Sequence, residues 1–255
     1  MSDAMTQELF RIDAYLQECE ATVIAVTESG LILDRTVFYP LGGGQAGDKG
    51  WLTVTSGAIA GQRLQIDDTR KAKDAAGINT AAICHVLSAE SAVRTGQLQP
   101  GDRVNARIDW DCRHRLMRFH TSTHLLCHVI PQLVNGCSIT PAYARLDFNM
   151  TEPLDKEELS NAIAILVAGA HPVNVGSITD AELDANPTLV KSMSVAPPRG
   201  SGQIRTIRIG TELNLIDLQP CGGTHVGNTA EIGNVVVTKI EKKSATTRRV
   251  VLGFA

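Results

Sequence analysis

The chain has 255 residues, 43% of them apolar and 4% aromatic, with a formal net charge of −3. That length supports one large domain or two modest ones with a sizeable core, and the charge excludes a wholesale polycation, so any nucleic-acid partner has to meet a local basic patch. The six cysteines are scattered at 19, 84, 112, 127, 137 and 221, which excludes a dense disulfide framework.

The N-terminal stretch MSDAMTQELFRIDAYLQE is interrupted by acids and carries no apolar h-region, so no secretory signal is expected. No stretch approaches the roughly 20 apolar residues of a membrane-spanning helix. The expectation is a cytoplasmic protein with reduced thiols and no membrane partner. ATVIAV, GLILDR, RLQIDD, TAAICHVL and DRVNARID then read as short strands, broken by Gly, Asp and Pro. Short strands at close spacing, with no long helical period, suggest a barrel or a sandwich. Within this region PLGGGQAGDKG, residues 40–50, is neither a P-loop nor a GxGxxG motif. It reads either as a turn between strands or as backbone that approaches a substrate closely, with Gln45 as a hydrogen-bonding side chain.

The pattern changes near Asp111. From Arg113 to Ile130 the positions Leu116, Phe119, Thr123, Leu126, Val129 and Ile130 approximate a helical stripe, and Pro131 is the expected stop. Asp155 followed by Glu158 opens a second helix in the manner of a capping box, and TDAELDAN reads as a third, short one. IRTIRIG, LNLIDL, NVVVTKIEK and RRVVLGF then read as antiparallel strands. Helices followed by an antiparallel sheet make an α+β arrangement. The boundary is expected near residue 108, giving segments 1–108 and 109–255.

Two short motifs carry chemistry. HTSTH places His120 and His124 one helical turn apart on one face. CGGTH offers Cys221 and His225, with two glycines that disfavour a helix and suit a tight loop. All four side chains are zinc-type donors, so the halves point to one metal centre. His128, the next residue in the His124 row, is a rival third ligand, and cobalt or iron would also suit a nitrogen-rich set. HTSTH is not the zincin HExxH, because Thr121 stands where that motif has its Glu. Two basic clusters, Arg113, His114, Arg115 and Arg118 in one and Lys239, Lys242, Lys243, Arg248 and Arg249 in the other, raise the expectation of phosphate contacts.

Taken together, RFHTSTHLL, LQPCGGTHV and TVFYPLGGGQAGDKG resemble the editing region of alanyl-tRNA synthetases, and most of all its free-standing relatives, the AlaX trans-editing proteins. The resemblance runs in order along nearly the whole chain. It implies a small β-barrel followed by a two-layer α+β editing domain. It implies Zn2+ held by His120, His124, Cys221 and His225, each at a matching motif position. Gln45 and Thr36 match polar positions that face the editing pocket, with Gly43 and Gly44 as close-approaching backbone. The implied substrate is alanine tRNA wrongly carrying serine, with glycine as a second cargo, and the implied activity is deacylation. Thr121, Thr123 and Thr224 lie beside the ligands and are expected to orient water or to recognise a serine hydroxyl, with Thr140 as a further candidate. Cys221 is expected to be the most weakly held ligand, because glycines flank its loop. A non-catalytic RNA-binding module with structural zinc and a metallohydrolase indifferent to tRNA are the competing readings.

Overall fold

The computed structural model describes residues 5–197 and 202–255. Six strands of the N-terminal region close on themselves: β1 (Glu18–Thr27), β2 (Gly30–Leu33), β3 (Gly50–Val54), β4 (Arg63–Lys73), β5 (Asn79–Leu87) and β6 (Arg103–Ile108). Their order around the barrel is β1-β2-β5-β4-β3-β6, with every pairing antiparallel. Alternation sets the inner face. In β3, Leu52 and Val54 are buried while Trp51 and Thr53 are half-buried. All six strands contribute to one apolar cluster that includes Val23, Leu31, Leu33, Leu52, Leu64, Ile66, Leu87, Val104 and Ile108. Each such side chain contributes about 1.5–3 kcal/mol on burial, and closure leaves no free sheet edge. Strand β3 begins at the last residue of the glycine-rich stretch, and its WLTV run of strand-favouring residues lies outside the segments expected to be strands.

Helix α1 (Trp110–Val129) follows. It starts three residues before the expected Arg113, because the Asp109 carboxylate accepts the Cys112 amide at 3.1 Å and caps the first turn. It stops before Pro131, as expected. Beyond it come β7 (Val134–Ile139) and β8 (Ala144–Asn149), α2 (Lys156–Ala168), β9 (Val173–Ile178), α3 (Asp180–Ala185), β10 (Ile204–Gly210), β11 (Leu215–Pro220), β12 (Val235–Ser244) and β13 (Thr247–Phe254). They form two antiparallel sheets, β12-β13-β8-β7 and β9-β10-β11.

Helix α2 lies on β12, and its Ser160 hydroxyl accepts the Val237 amide at 3.1 Å. Phe119 of α1 stacks on Phe254 of β13 with centroids 4.0 Å apart. Asp155 caps α2 through the Glu158 amide, whereas the full reciprocal capping box falls on α3, between Thr179 and Glu182. The chain is thus α+β, barrel first and helix-covered sheets second, as the sequence led one to expect. Among the described residues no helix is long and apolar enough to cross a membrane.

Two compact units emerge from the contacts: residues 1–42 with 46–114, and residues 43–45 with 115–255. The division falls inside α1. The tripeptide 43–45 belongs with the second unit. There the Ile139 amide donates to the Gly44 carbonyl at 2.7 Å, and Gln45 forms an isolated bridge with Ile139. Gly44 sits at φ +86°, and a Cβ on it would lie 2.8 Å from Cys137 Sγ, so only glycine fits.

Candidate metal centre

From Leu116 to Cys127 helix α1 is buried except for the half-buried Arg118, yet this stretch holds Thr121, Ser122 and Thr123. Their hydroxyls donate back into the helix: Thr121 to Met117 O at 2.9 Å, Ser122 to Arg118 O at 2.8 Å and Thr123 to His120 O at 2.7 Å. This is how three polar residues are tolerated without water. The same helix carries His120 and His124, both buried, with ring centroids 5.5 Å apart.

The CGGTH loop leaves β11 at Pro220 and is held by Arg205 of β10. Arg205 Nη1 donates to Cys221 O at 2.6 Å and to Gly223 O at 3.1 Å, while the Cys221 amide donates to Arg205 O at 3.2 Å. A loop expected to be easily moved is pinned at three points. Gly223 is required by close approach, since a Cβ there would sit 2.1 Å from His120 Cε1.

The two motifs converge. One donor atom from each of His120, His124, Cys221 and His225 lies within 4.8 Å of every other. Cys221 Sγ is 3.4 Å from His120 Nε2 and 3.3 Å from His225 Nε2. A tetrahedral zinc with ordinary bond lengths would separate sulfur from nitrogen by about 3.5 Å. His128, the rival ligand, is exposed and outside the group.

Each imidazole is anchored through Nδ1. His120 Nδ1 meets Gln45 Oε1 at 2.7 Å, His124 Nδ1 meets Asp217 Oδ2 at 2.8 Å, and His225 Nδ1 meets Thr121 Oγ1 at 3.2 Å. Thr121 already spends its proton on Met117 O, so it accepts from His225. With all three Nδ1 atoms carrying hydrogen, all three Nε2 lone pairs are left for an ion, which is the outer-shell arrangement metal-binding histidines need. The donor set and its orientation therefore fit a metal ion.

Electrostatics separate Cys221 from the other cysteines. Burial alone would raise its thiol, but the neighbouring His120 and His225 hold it well below the ordinary value. Burial pushes Cys127 and Cys137 up to about 12, which makes them inert small hydrophobes. Burial also holds His225 well below its ordinary value, with His120 adding to the effect. For His124 burial opposes charge, but the Asp217 and Cys221 contacts outweigh it and raise the group to about 9. Asp217 is likewise opposed by burial and carried down to about 2 by His124 and Lys191.

The other expected site residues have partners of their own. Gln45 is at the centre, but as a scaffold: besides His120 its Oε1 accepts the Thr224 amide at 3.1 Å, and its Nε2 donates to Thr224 Oγ1 at 2.8 Å. Gly43 and Gly44 shape the backbone that carries it. Thr36 is buried in the first unit, where its hydroxyl is engaged by His85 Nε2 at 2.7 Å and by the Phe38 amide at 3.0 Å. Thr140 closes the β7–β8 turn by donating to Tyr143 O at 3.0 Å.

Two expected phosphate contacts are corrected. Arg113 is fully buried, ion-paired with Asp48 and bonded to Ala14 O and Val37 O, so it cannot reach a phosphate. Arg248 is 8% exposed and its guanidinium is spent on the carbonyls of Glu152 and Ser244. Arg249 pairs with Asp147 at 2.7 Å, and Arg118 donates to Ile232 O while lying 3.9 Å over the Phe254 ring. Arg115, Lys242 and Lys243 remain exposed. Asp217, Lys191, Gln219 and Arg205 were not singled out from sequence. A carboxylate alone inside the apolar run LIDL was the one available signal.

Comparison with known proteins adds to this geometry. Residues 204–251 match the family model "Threonyl and Alanyl tRNA synthetase second additional domain", and residues 4–112 match "tRNA synthetases class II (A)". The alanyl-tRNA editing protein AlaX-M of Methanosarcina barkeri is 34% identical over 96% of this chain and 97% of its own length. AlaX-M of Saccharolobus solfataricus is 32% identical over 96% and 98%. The alanine–tRNA ligase of Metallosphaera sedula is 34% identical over 93% of this chain, which spans only 25% of that ligase.

Proposed function

This chain belongs to the AlaX-M family of alanyl-tRNA editing proteins, and on that premise we propose that it hydrolyses the ester of alanine tRNA that carries the wrong amino acid, serine foremost and glycine second, with a zinc ion held by His120, His124, Cys221 and His225. The observation that carries the reading is the convergence of HTSTH and CGGTH on one set of donors, every imidazole anchored so that Nε2 faces its neighbours.

The chemistry calls for such a site. An alanine pocket separates glycine and serine from alanine by only one methylene or one hydroxyl, which limits binding selectivity to about 10–200-fold. A second, hydrolytic site is the remedy. Bound zinc supplies Lewis acidity, polarising the ester carbonyl or acidifying a water. The protein's own residues fix the geometry. Gln45, Asp217 and Thr121 hold the three imidazole rings, and Arg205 holds the loop that carries the thiolate. Thr123 and Thr224 stand beside the ligands, where a hydroxyl can orient water or meet a serine side chain. Of the two basic clusters, Lys242 and Lys243 are exposed to tRNA phosphates, as is Arg115, whose Nε donates to Pro141 O. The reaction belongs in the cytoplasm, where charged tRNA is used.

A deacylation assay with seryl-, glycyl- and alanyl-tRNA(Ala) tests this. Loss of the seryl ester with the wild type, sparing of the alanyl ester, and no hydrolysis by His120→Ala are the expected results. Four protein ligands more often mean a closed structural site, which favours one competing reading, a purely structural metal in a non-catalytic RNA-binding module. That reading gains if the wild type binds tRNA, cleaves none of the three esters and unfolds when zinc is removed.

A further inference from the structure

Asp217 is a carboxylate with no exposed surface, set in strand β11 between Ile216 and Leu218. Its two oxygens do different work. Oδ2 accepts from His124 Nδ1 at 2.8 Å and from Gln219 Nε2 at 2.7 Å. Oδ1 is held by the Lys191 ammonium. The Gln219 amide also lies 3.1 Å from His124 Nδ1, but that ring nitrogen carries hydrogen toward the carboxylate, so the amide donates to Asp217.

Lys191 is itself held. It follows α3 in a segment stitched to the start of β7: the Val134 amide donates to Lys191 O at 2.8 Å, and the Met193 amide donates to Val134 O at 2.9 Å. Backbone and ammonium are thus fixed at opposite ends of a side chain that is 24% exposed.

We propose that Lys191 is a positioning residue of the metal centre, acting through Asp217 to hold His124 with Nε2 aimed at the ion. The proposal rests on the metal-binding reading of the four-residue cluster. The physical case has two parts. The hydrogen bonds from His124 and Gln219 both fall on Oδ2 and leave Oδ1 without an anchor, and the Lys191 ammonium on Oδ1 fixes the second end of the carboxylate. A buried carboxylate also needs an opposite charge beside it, and removing one partner of such a pair is strongly unfavourable. Metal-bound imidazole is neutral, so when His124 is a ligand Lys191 is the cation that faces Asp217. Loss of an outer partner to a ligating histidine typically weakens metal binding 10–100-fold.

The test compares full-length wild type with Lys191→Met, Lys191→Gln and Lys191→Arg. Zinc affinity is measured by competition with a chromophoric chelator, and the visible absorption of cobalt-substituted protein reports ligand geometry. The expected result is about 10-fold or weaker zinc binding for Lys191→Met, an altered cobalt spectrum, and near-wild-type values for Lys191→Arg. Lys191→Gln, which keeps a hydrogen bond without the charge, serves the same comparison if Lys191→Met does not fold. Unchanged affinity and spectrum in the folded charge-deleting variant overturn the proposal. Wild type that takes up neither metal overturns both this proposal and the metal reading beneath it. Wild type that binds zinc but cleaves no mischarged tRNA, with the Lys191 effect intact, removes the proposed substrate alone.

Discussion

Replacing Gln45 with alanine should strip metal from the protein before it alters substrate choice. The side chain is fully buried and makes three hydrogen bonds, to His120 Nδ1, to the Thr224 amide and to Thr224 Oγ1. Truncation leaves the first two donors facing an apolar methyl. Each buried, unsatisfied group costs about 1–3 kcal/mol. Part of that falls on His120, whose ring is then free to rotate or to change tautomer. Loss of an outer-shell partner lowers metal affinity about 10–100-fold, equivalent to roughly 1.4–2.8 kcal/mol, so the two routes to a magnitude agree. The assay is zinc competition against a chelator, with seryl- and alanyl-tRNA hydrolysis measured on zinc-saturated protein. Gln45→Glu is the control, since it keeps an acceptor for His120 and loses the amide donor to Thr224. Undiminished zinc affinity in Gln45→Ala, together with a shifted serine-to-alanine ratio, would refute this reasoning and return Gln45 to the substrate pocket.

Gly223→Ala should fold but bind zinc at least 10-fold more weakly, because its methyl would lie 2.1 Å from His120 Cε1 and 2.9 Å from Gln45 Oε1; metal content after gel filtration reads this out, and full occupancy counts against it. Arg113→Met leaves buried Asp48 without its cation and should destabilise by about 3–5 kcal/mol, a drop in Tm on the order of 10 °C, while the salt dependence of tRNA binding stays as in the wild type. Lys242→Ala should do the opposite, leaving Tm in place and reducing the salt slope by about 1. His85 is buried beside Thr36, and its pKa is lowered to about 4 by desolvation. The unfolded chain therefore binds a proton that the folded one does not, and stability is complete above the ordinary value near 6.5 and falls between about 6.5 and 4, by roughly 3 kcal/mol. Urea titrations of chelator-treated protein at pH 7.5 and 4.5 measure this loss, and His85→Gln should flatten it.

The metal motifs were legible in the sequence because each is local. Two imidazoles at i, i+4 on a helix and a thiolate four residues before an imidazole need no tertiary knowledge to be seen. Their convergence, and the partners that aim them, depend on contacts between residues 75 to 104 positions apart. Asp217 and Lys191 carry no motif. IRTIRIG was found by its alternation, yet Gly50–Val54 and Ala144–Asn149 also alternate in burial and were missed; two further strands lack a clear pattern. In Val173–Ile178 four of six residues are exposed, and Val134–Ile139 interposes Asn, Gly, Cys and Ser between its two buried ends. The basic clusters misled at Arg113 and Arg248. Charge counts did not reveal that Arg113 is a core residue, because its partner Asp48 lies 65 positions earlier.

The allegiance of Gly43–Gln45 bears on how this molecule can be dissected. Three residues from the N-terminal part of the sequence complete the second unit, so no single scissor cut yields both parts intact. A fragment starting at Arg115 keeps the four candidate ligands and forfeits the Gln45 amide that meets His120. Chimaeras that swap halves between relatives would inherit a mismatched tripeptide unless it travels with the recipient's own metal helix.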